Sequence, residues 1–206
     1  MPEIKLTKNE LRAQQIKLRL LQRYLPTLQL KKALLQSEVH ETKLQIERLR
    51  NLEEEAMDKV SSFASLFAAT LNVDLISFVK VKSIQKRHEN IAGSDVPVYE
   101  GVTFEPLNYD LFDTPPWLES AIHWLRKAAT IDAQVQIEEE RKRILEKELR
   151  EVSIRVNLFE KVLIPRALLN IKKIKIFLGD ALLTAVAQAK VAKVKIELAK
   201  AASHAD

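Results

Sequence analysis

Two long stretches of the chain place apolar residues every seven positions, and a short middle segment breaks that period. The first runs from about Leu11 to about Phe67. Its a-type positions are Leu11, Leu18, Leu25, Lys32, Val39, Ile46, Glu53, Val60 and Phe67. Its d-type positions are Gln14, Leu21, Leu28, Leu35, Thr42, Leu49, Ala56, Phe63 and Thr70. Thirteen of these eighteen are apolar, which marks a seam. A seven-residue repeat of this length favours a left-handed supercoil with a partner helix. A lone amphipathic helix on a globular core rarely exceeds ~25 residues.

The second stretch, from about Ala121 to about Ala199, carries the complementary stripe. It reads Ala121, Trp124, Ala128, Ile131, Val135, Glu138, Lys142, Leu145, Leu149, Val152, Val156, Phe159 and Leu163. Beyond Pro165 it reads Leu168, Ile171, Lys175, Leu178, Leu182, Ala185, Ala189, Ala192, Ile196 and Ala199. The register slips by one residue across Pro165. Proline removes a backbone donor and clashes with the carbonyl four residues back, so a kink or a skipped turn is expected there. Pro26 either bends the first helix in the same zone or starts it after a separate short helix. The alanine-rich seam beyond Leu182 lets helix axes approach closely.

Residues 81–116 hold two of the three glycines and four of the seven prolines. Val81, Ile84, Val96-Pro97-Val98-Tyr99 and Val102-Thr103-Phe104, around Gly93, suggest short strands or a hairpin. Thr114-Pro115-Pro116-Trp117 reads as a helix start. The expected fold is therefore mainly α: a long antiparallel two-helix coiled-coil hairpin with a short β-hairpin or loop in the middle. As one elongated domain over 1–206, it has a first helix over 1–80, a strand and loop segment over 81–116, and a second helix over 117–203 bent near Pro165. With helix ends near Lys80 and Trp117, level residues satisfy i + j ≈ 197. At 1.5 Å per residue each helix would be roughly 100–125 Å long, with both termini at one end and the Asn90–Pro97 turn at the other.

Composition agrees with long helices: 30% charged residues of mixed sign and few aromatics. With no cysteine, disulfides are excluded and a reducing compartment suits the chain. The most apolar window, Ser61 to Val79, is broken by Asn72 and Asp74, short of the ~18–20 uninterrupted apolar residues of a membrane span. No direct membrane insertion is expected. Charge is segregated. Residues 1–32 carry +6, residues 166–206 carry +5, and the remainder carries −6. On a hairpin the two basic segments coincide, giving one positive tip around Lys5, Lys8, Arg12, Lys190, Lys193, Lys195 and Lys200. Such a tip suits an acidic protein surface, an anionic membrane or nucleic acid. Only Tyr24 and Phe177 are available there for base stacking, which disfavours nucleic acid.

Catalytic chemistry is missing from the pattern. There is no Gly-rich phosphate loop, and His40, His88, His123 and His204 share no metal-ligand spacing. The runs Glu53-Glu54-Glu55 and Glu138-Glu139-Glu140 read as solvated helix faces with i, i+4 pairs. No catalytic residue, cofactor or metal is expected.

Arg155-Val156-Asn157-Leu158-Phe159-Glu160 with Ile164-Pro165 resembles the Arg-Val-Asn-x-x-Glu…Ile-Pro signature of the D subunit, the central rotor shaft of rotary V/A-type ATPases and ATP synthases. Asn90-x-x-Gly93 followed by Pro97 is similar to that family's middle segment. Lys31-Lys32 with Leu34-Leu35 loosely matches its first helix, and Lys193-Val194-Lys195 its basic C-terminal helix. Departures include Ile154, Glu89, Ala92, Tyr24-Leu25-Pro26-Thr27 and Gly179-Asp180, where the family usually has other residues. The resemblance implies a non-catalytic shaft that passes torque between a head of A and B subunits and a membrane ring moving protons or sodium ions. It also implies an F subunit on the shaft's side, a C-type (d-like) socket beneath, and a peripheral place on the cytoplasmic face of the membrane. Arg155, Asn157, Glu160, Pro165 and Pro26 would form the signature and bend, and Asn90, Gly93 and Pro97 a membrane-side turn. The alternatives are a coiled-coil scaffold or adaptor with no rotary partner, and a basic coiled coil on nucleic acid.

Overall fold

In a computed structural model the chain is mainly helical, with an antiparallel β-hairpin in its middle. Residues 4–64, 66, 78–106 and 115–203 are described; Phe67, Thr70, Asn72, Asp74, Asp113, Thr114 and His204 lie outside them. Helix α1 spans Lys8–Ser61, strand β1 Val81–Ile91, β2 Ser94–Phe104 and helix α2 Trp117–Leu158. A π turn over Phe159–Leu163 then leads into α3, Ile164–Ser203. Packing divides the chain into two compact units, one of Met1–Gln29 with Ile154–Asp206 and the other of Leu30–Ser153.

Helix α1 starts at a threonine cap. The Thr7 hydroxyl accepts from the Glu10 amide at 3.3 Å, and Glu10 stands at the third helical position. The helix runs through Pro26 without a break, so Pro26 does not start it. Its buried residues are Leu21, Leu35, Val39, Thr42, Ile46, Leu49 and Ala56, all at seam positions read from the sequence. The helix ends at Ser61 rather than near Lys80. The pairing with α2 also differs from the expected one. In the unit of Leu30–Ser153, Leu49 and Ala56 pack with Ala128, Ile131 and Val135. Lys43 pairs with Glu146 at 2.9 Å and Arg50 with Glu139 at 2.6 Å. Level residues therefore sum to ~184, a shift of about thirteen positions, or three to four turns, from the expected register.

The slip across Pro165 has a concrete form. The Ile164 amide bonds the Phe159 carbonyl, five residues back. A π turn holds one extra residue relative to an α turn. After it the buried positions are Ala167, Ile171 and Ile174, one residue later than the preceding heptads would set them. Leu168, placed on the seam by sequence, is exposed.

The hairpin closes on Ala92 and Gly93, whose φ angles are +52° and +85°, the geometry of a two-residue type I′ turn. The Asn90 side chain braces it, accepting from the Gly93 amide at 3.0 Å and donating to Asp95 at 2.7 Å. β1 is exposed almost throughout, whereas Ser94, Val96 and Pro97 of β2 are buried. β2 is thus the strand that packs inward.

Candidate partner interface

The hairpin lies along the helices instead of extending beyond their ends. At its base Arg126 of α2 donates to the Phe78 carbonyl at 2.9 Å and the Glu105 carbonyl at 2.8 Å, and its guanidinium lies 4.9 Å from the Phe104 ring centre. Midway, Lys86 of β1 bonds Glu140 of α2 at 3.2 Å. At the tip, the Lys31 ammonium comes within 3.9 Å of where a side chain on Gly93 would begin. Lys31 itself pairs with Glu148 at 3.7 Å. An eleven-residue strand reaches about 35 Å, and α2 rises about 33 Å from Arg126 to Glu148. The two lengths match. Gly93 therefore sits beside Lys31 of α1, with Asn90 and Pro97 close to it in the hairpin, and not at the far end expected from the sequence. Burial of Val96 and Pro97 draws the hairpin back.

The basic tip is also rearranged. In the unit of Met1–Gln29 with Ile154–Asp206, the start of α1 faces residues 163–170. A groove of about 480 Å³ there is bounded by Lys5, Glu10, Gln14, Lys17, Arg166 and Asn170. With Glu10, Gln14 and Lys17 set against Leu163, Arg166 and Asn170, the first turn of α1 at Lys8 is level with about residue 172 of α3, and α1 does not accompany the rest. Every residue from Gly179 to Leu198 is exposed, Leu183 by 71%. The alanine seam beyond Leu182 therefore faces no part of α1. Lys5, Lys8 and Arg12 are separated along α3 from Lys190, Lys193 and Lys195 by more than about 25 Å. All six are exposed; Lys193 makes an i, i+4 pair with Glu197 at 3.9 Å. Lys200 belongs to α3.

Of the signature residues, Arg155 and Asn157 lie exposed in the last turn of α2, Glu160 in the π turn, and Pro165 exposed at the start of α3. Pro26 is exposed on α1. Those in the second stretch cluster at the π turn.

The acidic run Glu138-Glu139-Glu140 behaves differently from the expected solvated face. Each member reaches another element or the seam: Glu139 to Arg50, Glu140 to Lys86, and Glu138 into the α1–α2 seam beside Arg141. Burial pushes the Glu138 carboxyl above the ordinary carboxylate range, with Arg141 opposing. Arg126 and the Glu38–Arg141–Glu138 group are not singled out by sequence reasoning. The available signal was a second apolar stripe on α2, Ile122, Ala133 and Ile137, which is buried. Among the described residues no helix is long and apolar enough to cross a membrane, and no group of three His, Asp or Glu could hold a metal ion.

The family model for the ATP synthase D subunit matches residues 10–194. The chain belongs to that family. It is 44% identical over 203 residues to the V-type ATP synthase D subunit of Chlamydia felis, covering 98% of both chains. The corresponding figure for Chlamydia pneumoniae is 45% over 201 residues, covering 97% of this chain and 96% of the relative. For Chlamydia muridarum it is 46% over 196 residues, covering 95% and 97%. The chain is a non-catalytic central-stalk subunit that transmits torque within a V/A-type ATPase complex.

Proposed function

We propose that α3 beyond Gly179 is the part of this stalk protein that the head of A and B subunits surrounds. The observation that carries this reading is the unaccompanied helix itself. Leu182, Leu183, Val191, Val194 and Leu198 are exposed on it beside Lys190, Lys193 and Lys195. A helix with apolar residues and cations, and no partner among the described residues, suits an enclosing protein collar carrying acidic loops. Contacts through exposed charges are weak and long-ranged, which permits rotation. The groove edged by Lys5, Lys17 and Arg166 would meet the lower rim of that collar, with Lys8 and Arg12 alongside. Arg155, Asn157 and Glu160 at the π turn, with Pro165 and Pro26, form the zone where the helices bend.

The end of the Leu30–Ser153 unit where α2 begins carries the cluster of Phe78, Leu118 and Ile122 with Trp117 packed on it. It is the better candidate for the C-type (d-like) socket. The hairpin flank, with Asn90 and Gly93 at its tip, is where the F subunit would sit. These partners put the protein peripherally on the cytoplasmic face of the membrane, coupling ATP synthesis or hydrolysis to proton or sodium movement.

The test is a reconstituted complex in which Lys190, Lys193, Lys195 and Lys200 are all changed to Gln. At roughly 0.2–1 kcal/mol for each surface ion pair lost, the change should weaken head assembly about tenfold at low salt, with the difference shrinking as salt rises. Unchanged assembly and turnover at low ionic strength would remove the basic tail from the interface.

A further inference from the structure

The seam between α1 and α2 is built from repeating apolar residues, with Leu35, Val39, Ile46 and Leu49 of α1 and Val135, Leu145 and Val152 of α2 all buried and Leu49 packed with Val135. Such a seam has a weakness. Sliding one helix by seven residues, about 10.5 Å, puts like residues back against like. The surface ion pairs along it do not prevent this. Lys31–Glu148, Lys43–Glu146 and Arg50–Glu139 have side chains exposed by 33% or more, and long exposed side chains find new partners cheaply.

One layer differs. Arg141 of α2 lies 3.3 Å from Glu38 of α1 and 3.8 Å from Glu138 of its own helix, and the three side chains are only 20%, 23% and 12% exposed. Thr42, one turn from Glu38, is 3% exposed and donates to the Glu38 carbonyl. The layer is incompletely satisfied, since Glu138 Oε2 and Arg141 Nε are buried with no hydrogen-bond partner. Two carboxylates against one guanidinium, partly unpaired, make a poor source of stability.

We propose that Glu38, Glu138 and Arg141 form the register lock of the α1–α2 pair, with Arg141 as the positioning residue. The sequence around them makes both neighbouring registers repulsive. A one-heptad slip in one direction sets Lys31 opposite Arg141. The slip in the other direction sets Glu38 opposite Glu148. The lock selects one register by penalising the others, the best-attested use of a buried polar layer in a coiled coil. It stands independently of the rotary reading; for a shaft under torque it would keep axial slip from absorbing rotation.

The chain has no cysteine, so an introduced pair supplies the only thiols. In the full-length protein, Lys43→Cys with Glu146→Cys reports the observed register. Lys43→Cys with Glu139→Cys, and Arg50→Cys with Glu146→Cys, report the two slipped registers. Changing Glu38, Glu138 and Arg141 together to Leu should leave the thermal midpoint equal or higher, while disulfide yield from the slipped pairs rises about tenfold. A charge-reversed layer (Glu38→Arg, Glu138→Arg, Arg141→Glu) separates a lock from an ordinary ion pair. It keeps the native pairing, yet slipping would now set Lys31 opposite a carboxylate and Glu148 opposite a guanidinium, so slipped crosslinks should rise here as well. If the leucine variant folds and its slipped pairs stay at the parent yield, the register is fixed elsewhere. If it fails to fold, the layer is a stability element and the proposal falls.

Discussion

Ala92 holds a φ of +52° in the hairpin turn, the sole positive φ of a residue other than glycine among those described. A type I′ turn needs two such residues and favours Asn-Gly. Ala has no side chain that eases the left-handed conformation, whereas Asn tolerates it. Ala92→Asn should therefore raise stability by about 0.5–1 kcal/mol, seen as a higher thermal midpoint. A lower midpoint would mean that the turn is not strained at this residue. The Asn90, Gly93 and Asp95 hydrogen bonds around it explain why Asn90-x-x-Gly93 reads as a unit in the sequence. What the residue types could not tell is where the turn comes to rest, beside Lys31, about sixty positions away.

At the scale of elements, the hairpin is too small to stand alone, since a two-stranded sheet is marginal in water. Arg126 is what fastens its base, by reaching both the segment that enters β1 and the one that leaves β2. Arg126→Leu would strand two carbonyls that now accept from a charged donor, a loss of about 3 kcal/mol in hairpin docking. Arg126→Lys should not restore it, because one ammonium lacks the fork that spans both acceptors. Limited proteolysis within 81–104 reports the result: both variants should be cut faster than the parent while α1 and α2 remain intact, and parental rates in either would show that burial of Val96 and Pro97 alone secures the hairpin. The helices were far more legible. Every buried residue of α1 falls on the heptad seam, and the one-residue slip across Pro165 was visible in the spacing of apolar residues. Its cause, a π turn ahead of the proline, was not. Spacing counts residues between seam positions and does not say which hydrogen bonds absorb the extra one.

For the molecule as a whole, the decisive asymmetry is that α3 outlasts its partner. Amides over 182–198 should exchange at least about a hundredfold faster in the isolated chain than those over 35–49, because an unpacked helix opens locally while a seam opens only with its unit. Comparable protection of the two segments would show that the tail already has a partner, such as a second copy of the chain. The sequence by itself determined the helical class, the seam residues of α1, the place of the hairpin in the chain and the family. Heptad periodicity and local turn chemistry act over a few residues and are written in order along the chain. Only the tertiary structure decided the pairing register, the folding back of the hairpin and the separation of Lys190, Lys193 and Lys195 from the start of α1. Those depend on contacts between residues far apart in the chain, such as Arg126 with the Phe78 and Glu105 carbonyls and Leu49 with Val135. A repeating apolar pattern is degenerate on that point, since each heptad looks like the next.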